Sequence, residues 1–383
     1  MILAHAPAAL YGLSANPIFR VSGLTVSSQR GVTTGIPWLD ASAGYTIQAL
    51  GGFSAQQWLH GHIPWWDPYM GVGAPLAGEM QPASLFLPFV LLLHFLGGVL
   101  LFKIALQMVA GLAAFALLRH FRLCRVAAFS GAAIYSLNGT FAWFSDAPIT
   151  PIAFLPLLLL GIERAFACSG GKRRGGWILI AVALAYSLYA GFPETAYLDG
   201  LLAFAWSMYR FSVAPRGARF AFATKVVSGC AVGLLLAAPV LIPFLQYLSL
   251  SAVHYGWSHF ALPKISFATF LFPYLWGPIH TFDANDPSGT LAKNWGFIGG
   301  YLGLLVVFLS ATAVFTGSKL RGLRILLFFW IAVFMARSLQ VTWVEDLTNA
   351  IPGMDLSQVF RYSEPTWQMG AAILAAFALD DWR

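Results

Sequence analysis

The chain has 383 residues, 58% of them hydrophobic and only 10% charged, with a mean hydropathy of +0.72. Ordinary globular domains carry roughly a quarter charged residues. This composition leaves too little polar surface to coat a water-soluble particle. It excludes a soluble enzyme, a disordered chain and a fibrous repeat, and it points to an all-α, polytopic transmembrane helical bundle. The net charge of +7 does not mark a nucleic-acid binder, because the basic residues sit in short clusters between apolar runs.

Residues 1–14 lack a basic leader and hold only a short apolar run, so no cleavable signal peptide is expected. Residues 1–83 then read as a short N-terminal segment followed by a first outer loop, 15–83. Transmembrane helices are expected over 84–247 and 295–383, with outer loops at 248–294 and 339–365. The apolar segments fall at 84–97, 98–118, 126–144, 148–163, 176–191, 194–209, 225–247, 296–316, 322–338 and 366–380, which makes about nine or ten membrane segments. The first two could be one re-entrant piece and one span.

Charge bias sets the orientation. Clusters at Arg119/Arg122/Arg125, Arg164/Lys172/Arg173/Arg174, Arg210/Arg216/Arg219/Lys225 and Lys319/Arg321/Arg324 alternate with loops poor in Lys and Arg, and so mark the cytoplasmic side. Of 15 acidic residues, 11 fall on the outer side; the others are Glu163, Asp199, Asp380 and Asp381. Chemistry is therefore expected outside, under the long loops. Cys124, Cys168 and Cys230 form no CxxC pair and lie near the cytoplasmic ends.

The first outer loop carries the strongest pattern. Trp65, Trp66 and Tyr69 are amphipathic aromatics suited to the headgroup level or to stacking on a sugar. Pro64, Pro68 and Pro75 with Gly71 and Gly73 impose a turning path around Asp67. The run Gly61-x-x-Pro64-x-Trp66-Asp67-Pro68-Tyr69-x-x-x-Gly73-x-Pro75, closing on Gln81-Pro82-Ala83 and Pro88, resembles the first outer loop of the YfhO family of bacterial membrane proteins. Four further segments resemble that family in order. They are Gly191-Phe192-Pro193-Glu194-Thr195-Ala196-Tyr197, Leu271-Phe272-Pro273-Tyr274-Leu275-Trp276-Gly277, Tyr301-Leu302-Gly303, and Pro352-Gly353 with Phe360-Arg361-Tyr362. The similarity spans about residues 36–381. The family usually begins with a full helix before the first loop and continues past the position of Asp380-Asp381, so this chain resembles a fragment, a split gene or a short subfamily.

The resemblance implies a membrane domain similar to the GT-C glycosyltransferases. These move a sugar from a polyprenyl-phosphate-linked donor on the extracytoplasmic side, with a carboxylate of the first outer loop near the reacting atoms. For this chain it implies a multi-pass protein of the bacterial inner membrane, with the lipid-linked sugar and membrane lipids as partners and no nucleic acid. It assigns catalysis first to Asp40 and then to Asp67. Substrate contacts fall to Trp66, Tyr69, Glu79, Gln81, Glu194 and Arg361. Sugar transfer needs a base for the acceptor hydroxyl and cationic help for the departing phosphate, from a divalent cation or from Arg and Lys. The metal set is left open; His60-x-His62 has no third ligand at fixed spacing.

Each candidate also has a plain structural reading. Asp40 can cap a short helix, Asp67 before Pro68 can make a turn, Glu194 can sit at a helix N-terminus for its dipole, and Arg361 can anchor at the interface. Lys103 and Asp199 are the charges inside apolar segments; an intramembrane acid is a functional candidate by default. Two other functions compete with transfer: a transporter or flippase for a lipid-linked or small polar substrate, and a non-catalytic scaffold. No phosphate-binding, dinucleotide, GxSxG or HExxH motif is present.

Overall fold

The computed structural model describes residues 49–95, 97–143, 150–170, 175–250, 261–272, 275–276 and 300–383. Asp40 lies outside them, as do Pro273, Tyr274 and Gly277. The fold is all-α among the described residues, where the strands are one antiparallel pair of two residues each.

In chain order, α1 (Gly51–Leu59) leads into β1 (Trp66–Asp67) and β2 (Ala74–Pro75), then the single turn α2 (Leu76–Glu79). Helices α3 (Gly98–His120), α4 (Arg125–Ser136), α5 (Gly139–Trp143), α6 (Leu155–Ala167), α7 (Trp177–Tyr189), α8 (Pro193–Val213), α9 (Arg216–Leu236) and α10 (Ala238–Leu250) follow. After α11 (Phe267–Leu271) come α12 (Leu304–Thr316), α13 (Arg321–Ser338), α14 (Thr342–Asn349), α15 (Val359–Tyr362) and α16 (Glu364–Asp381).

The helix at the centre is α16, whose side chains are buried from Glu364 to Ala378. It packs on α4, α12 and α13. Its small residues, from Gly370 to Ala378, let those neighbours come close; Gly131 of α4 faces Ala372 and Ala376. Exposed apolar side chains lie instead on the outer helices, as at Phe220, Val227 and Leu235 of α9.

Among the described residues two helices, α3 and α9, are each long and apolar enough to cross a membrane, and α13 with α14 adds a third if that pair, bent by 107°, is one span. Helices α7, α10 and α12 are apolar but 13 residues long, about 20 Å against the ~30 Å of a bilayer core. The sequence expectation of nine or ten spans exceeds what helix length and apolarity support among the described residues. Segment 84–97 forms no crossing: it holds turns and the six-residue 3-10 helix Phe89–His94, because Pro88 and Gly97 interrupt it. Segment 126–144 divides at Asn138, whose side chain accepts the Phe141 N–H at 3.1 Å and starts α5. The 225–247 segment begins earlier, at Arg216, and is broken at Ala237, two residues before Pro239.

The basic clusters meet at one end of the fold. Glu163 accepts from Arg210 Nε and Trp206 Nε1, both at 2.6 Å, in a buried site. Arg324, fully buried, holds Asp381 through both terminal nitrogens, with Nη2 to Oδ1 at 3.0 Å. Asp380 accepts the Cys124 N–H at 2.7 Å and faces Lys319, whose ammonium also reaches the Arg122 carbonyl at 3.3 Å. Lys225 donates to the Cys168 carbonyl at 2.6 Å. Three of the four acids that the sequence leaves off the outer side are thus neutralised by the cations of that same end.

A buried ion pair broken on one side costs about 3–5 kcal/mol, whereas apolar replacement of both partners is close to neutral. Arg210→Met should therefore lower the thermal unfolding midpoint in detergent markedly. The double variant Glu163→Leu/Arg210→Met should recover most of the loss. Equal midpoints for wild type and the single variant would show the pair to be dispensable.

Candidate functional site

The opposite ends of the helices carry Glu194, Glu345 and Glu364. In α8, Glu194 and Arg210 are sixteen residues apart, about 24 Å along the axis. Around Glu194 the structure gathers segments that are far apart in sequence.

The first-loop segment is a β-hairpin with Trp66 opposite Pro75 and Asp67 opposite Ala74. Asp67 is 2% exposed, and its Oδ1 accepts the Tyr69 N–H at 2.9 Å. This Asx turn folds the loop tip back, so the plain reading of Asp67 as a turn former describes its local role. Gly73 has φ +100°, and a Cβ there would stand 2.2 Å from Trp66 Nε1; only glycine lets the indole lie on that strand. Trp66 and Tyr69 are 52% and 81% exposed, and Tyr69 meets Phe53 edge-on at 5.6 Å. Val72, Met70 and Trp65 are also exposed. The hairpin therefore buries its carboxylate and presents aromatic and apolar groups outward. Glu79 is half-buried beside it. Burial, and then the charge of Asp67, raise its pKa above the ordinary glutamate value. Gln81 is exposed.

The chain after Glu79 then meets α8. Gly191 has φ +86°, and a Cβ on it would fall 2.4 Å from the Met80 carbonyl oxygen and 3.1 Å from Ala83 Cβ. This close approach joins the end of the first loop to the turn that starts α8. Glu194, two residues into that turn, accepts the Gln358 N–H and lies within electrostatic reach of Arg361. The Phe192 and Tyr362 rings are 4.7 Å apart. Tyr197 donates to the Pro352 carbonyl at 2.6 Å and packs on Gly353. Three of the five sequence segments, Gln81–Ala83, Gly191–Tyr197 and Pro352–Tyr362, thus form one continuous structure. A fourth, Tyr301–Gly303, meets the residue that precedes the fifth: Leu302 and Gly303 N–H groups donate to the Phe270 carbonyl at 2.9 and 3.2 Å.

Of the predicted residues, Asp67 and Glu79 stand together in the first loop and Glu194 and Arg361 in the turn beside it. Trp66 and Tyr69 line the outer face of the hairpin. Among the described residues no group of three His, Cys, Asp or Glu is placed to hold a metal ion.

The structure adds a polar group that the sequence reading did not single out. Thr140 of α5 points its hydroxyl at Gln368 Oε1, 2.8 Å, and Glu364 Oε2, 3.2 Å, all buried. Its one proton serves one acceptor at a time. Glu364 and Gln368 are one turn apart at the start of α16, and the Tyr301 ring lies against Gly139 of α5. The i, i+4 spacing of Glu364 and Gln368 within a buried stretch was the available signal.

Comparison with known proteins returned no match: no family model, no curated protein and no solved structure is similar to this chain.

The sign of the Glu79 shift gives a test. A carboxyl whose folded pKa is raised costs stability when ionised, and the cost disappears as pH falls below the ordinary glutamate range. Glu79→Gln should slow proteolytic nicking of the hairpin at neutral and alkaline pH. The two proteins should be nicked at the same rate in acid. A pH-independent difference would assign the effect to packing instead.

The Gly191 contact gives another. Gly191→Ala adds a methyl where the Met80 carbonyl sits and forbids the positive φ. It should loosen the first loop from α8, read as faster hydrogen exchange at residues 80–83 with little change in α3 or α9.

Proposed function

We propose that the chain is an integral-membrane glycosyltransferase of GT-C type, multi-pass in a bacterial inner membrane and active on its outer face. The observation that supports this reading most is the meeting of the first-loop end with Glu194, Gln358 and Arg361, about 24 Å from the end where the basic clusters converge. By the positive-inside rule that basic end is cytoplasmic, so the acidic end faces outward. Three of the five segments that carry the resemblance to the YfhO family meet there, and the resemblance adds the chemistry to the placement.

In this reading the donor is a polyprenyl-phosphate-linked sugar that reaches the site from the outer leaflet. The exposed Trp66 and Tyr69 offer aromatic faces to a sugar ring or to the headgroup layer. The acceptor hydroxyl oxygen attacks the anomeric carbon while a carboxylate takes its proton. The anomeric carbon–oxygen bond breaks, and polyprenyl phosphate leaves with the electron pair. Asp40 is the proposed base, and Asp67 with Glu79 form a carboxyl pair in the same loop. Glu194, held by Gln358, accepts a sugar hydroxyl; Arg361 supplies positive charge toward the phosphate, as a guanidinium matches such oxygens bidentately. A divalent cation, if used, would add charge at that phosphate, and Gln81 borders the path of the acceptor.

A transporter or flippase for a lipid-linked or small polar substrate is the second reading. It is favoured by Asp199, a buried acid in a helix interior, since such groups commonly line ion or substrate paths.

The test is transfer from a panel of radiolabelled polyprenyl-phosphate sugars in proteoliposomes. Removing a general base typically costs ~10²–10⁴-fold in rate. Asp40→Asn should lose activity on that scale with unchanged expression and thermal midpoint. Wild-type activity in that variant would overturn the assignment of the base, and no transfer by wild type from any donor would favour the second reading.

A further inference from the structure

Four acids fall outside the outward-facing set, and three of them are matched by cations at the basic end. The fourth, Asp199 in α8, is different. It is 1% exposed, and neither carboxylate oxygen has a hydrogen-bond partner among the described residues. One turn earlier on the same face of α8, Thr195 is fully buried, and its hydroxyl also has none. Residues four apart on a helix are neighbours, so the two side chains bring three oxygens to one face of α8.

The Thr195 hydroxyl is the more telling of the two. Many helical hydroxyls in this protein satisfy themselves on the preceding turn: Ser207 bonds the Ala203 carbonyl, Ser310 that of Val306, Thr348 that of Val344, and Thr366, itself in a first turn, that of Ser363. Thr195 makes no such bond. A buried hydroxyl left open beside a buried carboxylate left open is costly twice over, unless something occupies the space between them.

The groups packed around Asp199 supply no counter-charge. From α4, Tyr135 is close enough to feel the carboxylate, but its hydroxyl is committed to the Ile152 carbonyl at 2.7 Å. From α8 itself come Leu198 and Leu202, both fully buried. Among the described residues, no Lys, Arg or His has an ion pair or hydrogen bond to Asp199.

We propose that Asp199 and Thr195 form a binding site for a small monovalent cation, sodium in the first instance. The donor set is all oxygen, which suits a hard cation and not a soft metal. It carries a single negative charge, which one monovalent ion neutralises, whereas a divalent ion would leave a buried net charge. The site is five residues below Glu194, about 7.5 Å along the helix, so the ion would enter from the acidic end. The proposal does not rest on sugar transfer, and its test uses neither donor nor acceptor.

The experiment uses the full chain in nanodiscs, in NaCl or in choline chloride at equal ionic strength. Dicyclohexylcarbodiimide adds to a carboxyl buried in an apolar setting, and peptide mass spectrometry reads modification at Asp199. Sodium should protect Asp199 severalfold and raise the thermal midpoint, both saturably. Thr195→Val should shift the sodium dependence to higher concentration, and Thr195→Ser, which keeps the oxygen, should restore it. Asp199→Asn should unfold at a midpoint indifferent to sodium. Equal modification of Asp199 in the two salts would overturn the proposal, leaving the acid simply protonated. So would a sodium-dependent midpoint that survives in Asp199→Asn.

Discussion

The arrangement depends on how buried charge is neutralised. An ionised group in an apolar bundle is tolerated only when it is paired and hydrogen-bonded. At the basic end this requirement is met by Glu163 with Arg210 and by Asp381 with Arg324. Each pair joins two helices at a fixed height: α6 to α8, and α13 to α16. Asp380 adds the start of α4 through Cys124. Sliding any of these helices by one turn would strand a charge, so the basic end sets the register of the bundle. The positions of Glu194 and Glu364 at the other ends follow from it.

At the acidic end the ties are mostly of another kind. There the elements are joined by backbone approach and by single hydrogen bonds, Met80 on Gly191, Gln358 to Glu194 and Tyr197 to Pro352, and one buried ion pair, Arg337 with Glu345 at 3.5 Å, holds α14 to the end of α13. Most of these contacts hold loops to helices. A bundle whose sequence-distant helices are fixed by ion pairs at one end and joined mainly by loop contacts at the other has its adaptable surface where the acids are. That is the division of labour expected of a scaffold with a working end.

Much of this was legible in the sequence. The alternation of apolar runs and basic clusters foretold the helices and the convergence of Arg122, Lys225 and Lys319 at one end, because charge placement follows from simple solvation. Glycine and proline in Gly191-Phe192-Pro193 foretold a break and a helix start. Other features were hidden. Segment 84–97 is as apolar as its neighbours, yet Pro88 and Gly97 keep it from forming a crossing helix; hydropathy averages do not register where backbone hydrogen bonds fail. Thr140, Glu364 and Gln368 come together from residues more than two hundred apart, and spacing in one segment carries no information about a partner in another. Asp40, the residue on which the resemblance places catalysis, lies outside the described residues, so the candidate site is defined by its borders with Glu79, Glu194 and Arg361.

The contrast among the acids joins these strands. Ion pairing explains Glu163, Asp380 and Asp381, and turn chemistry explains the local role of Asp67. Position at helix starts accounts for Glu194 and Glu364, since negative charge is favoured at a helix N-terminus. Asp199 meets none of these conditions: it is past the first turn, far from the basic end, and beside a threonine that leaves its hydroxyl open. The three acids at the basic end each have a neighbouring cation, whereas Asp199 is left to a partner from outside the chain. The same α8 then carries a charge lock near one end, a loop contact at the other and an ion site between them. Occupancy of that site would bear directly on the turn that holds Glu194, because Thr195 is its next residue.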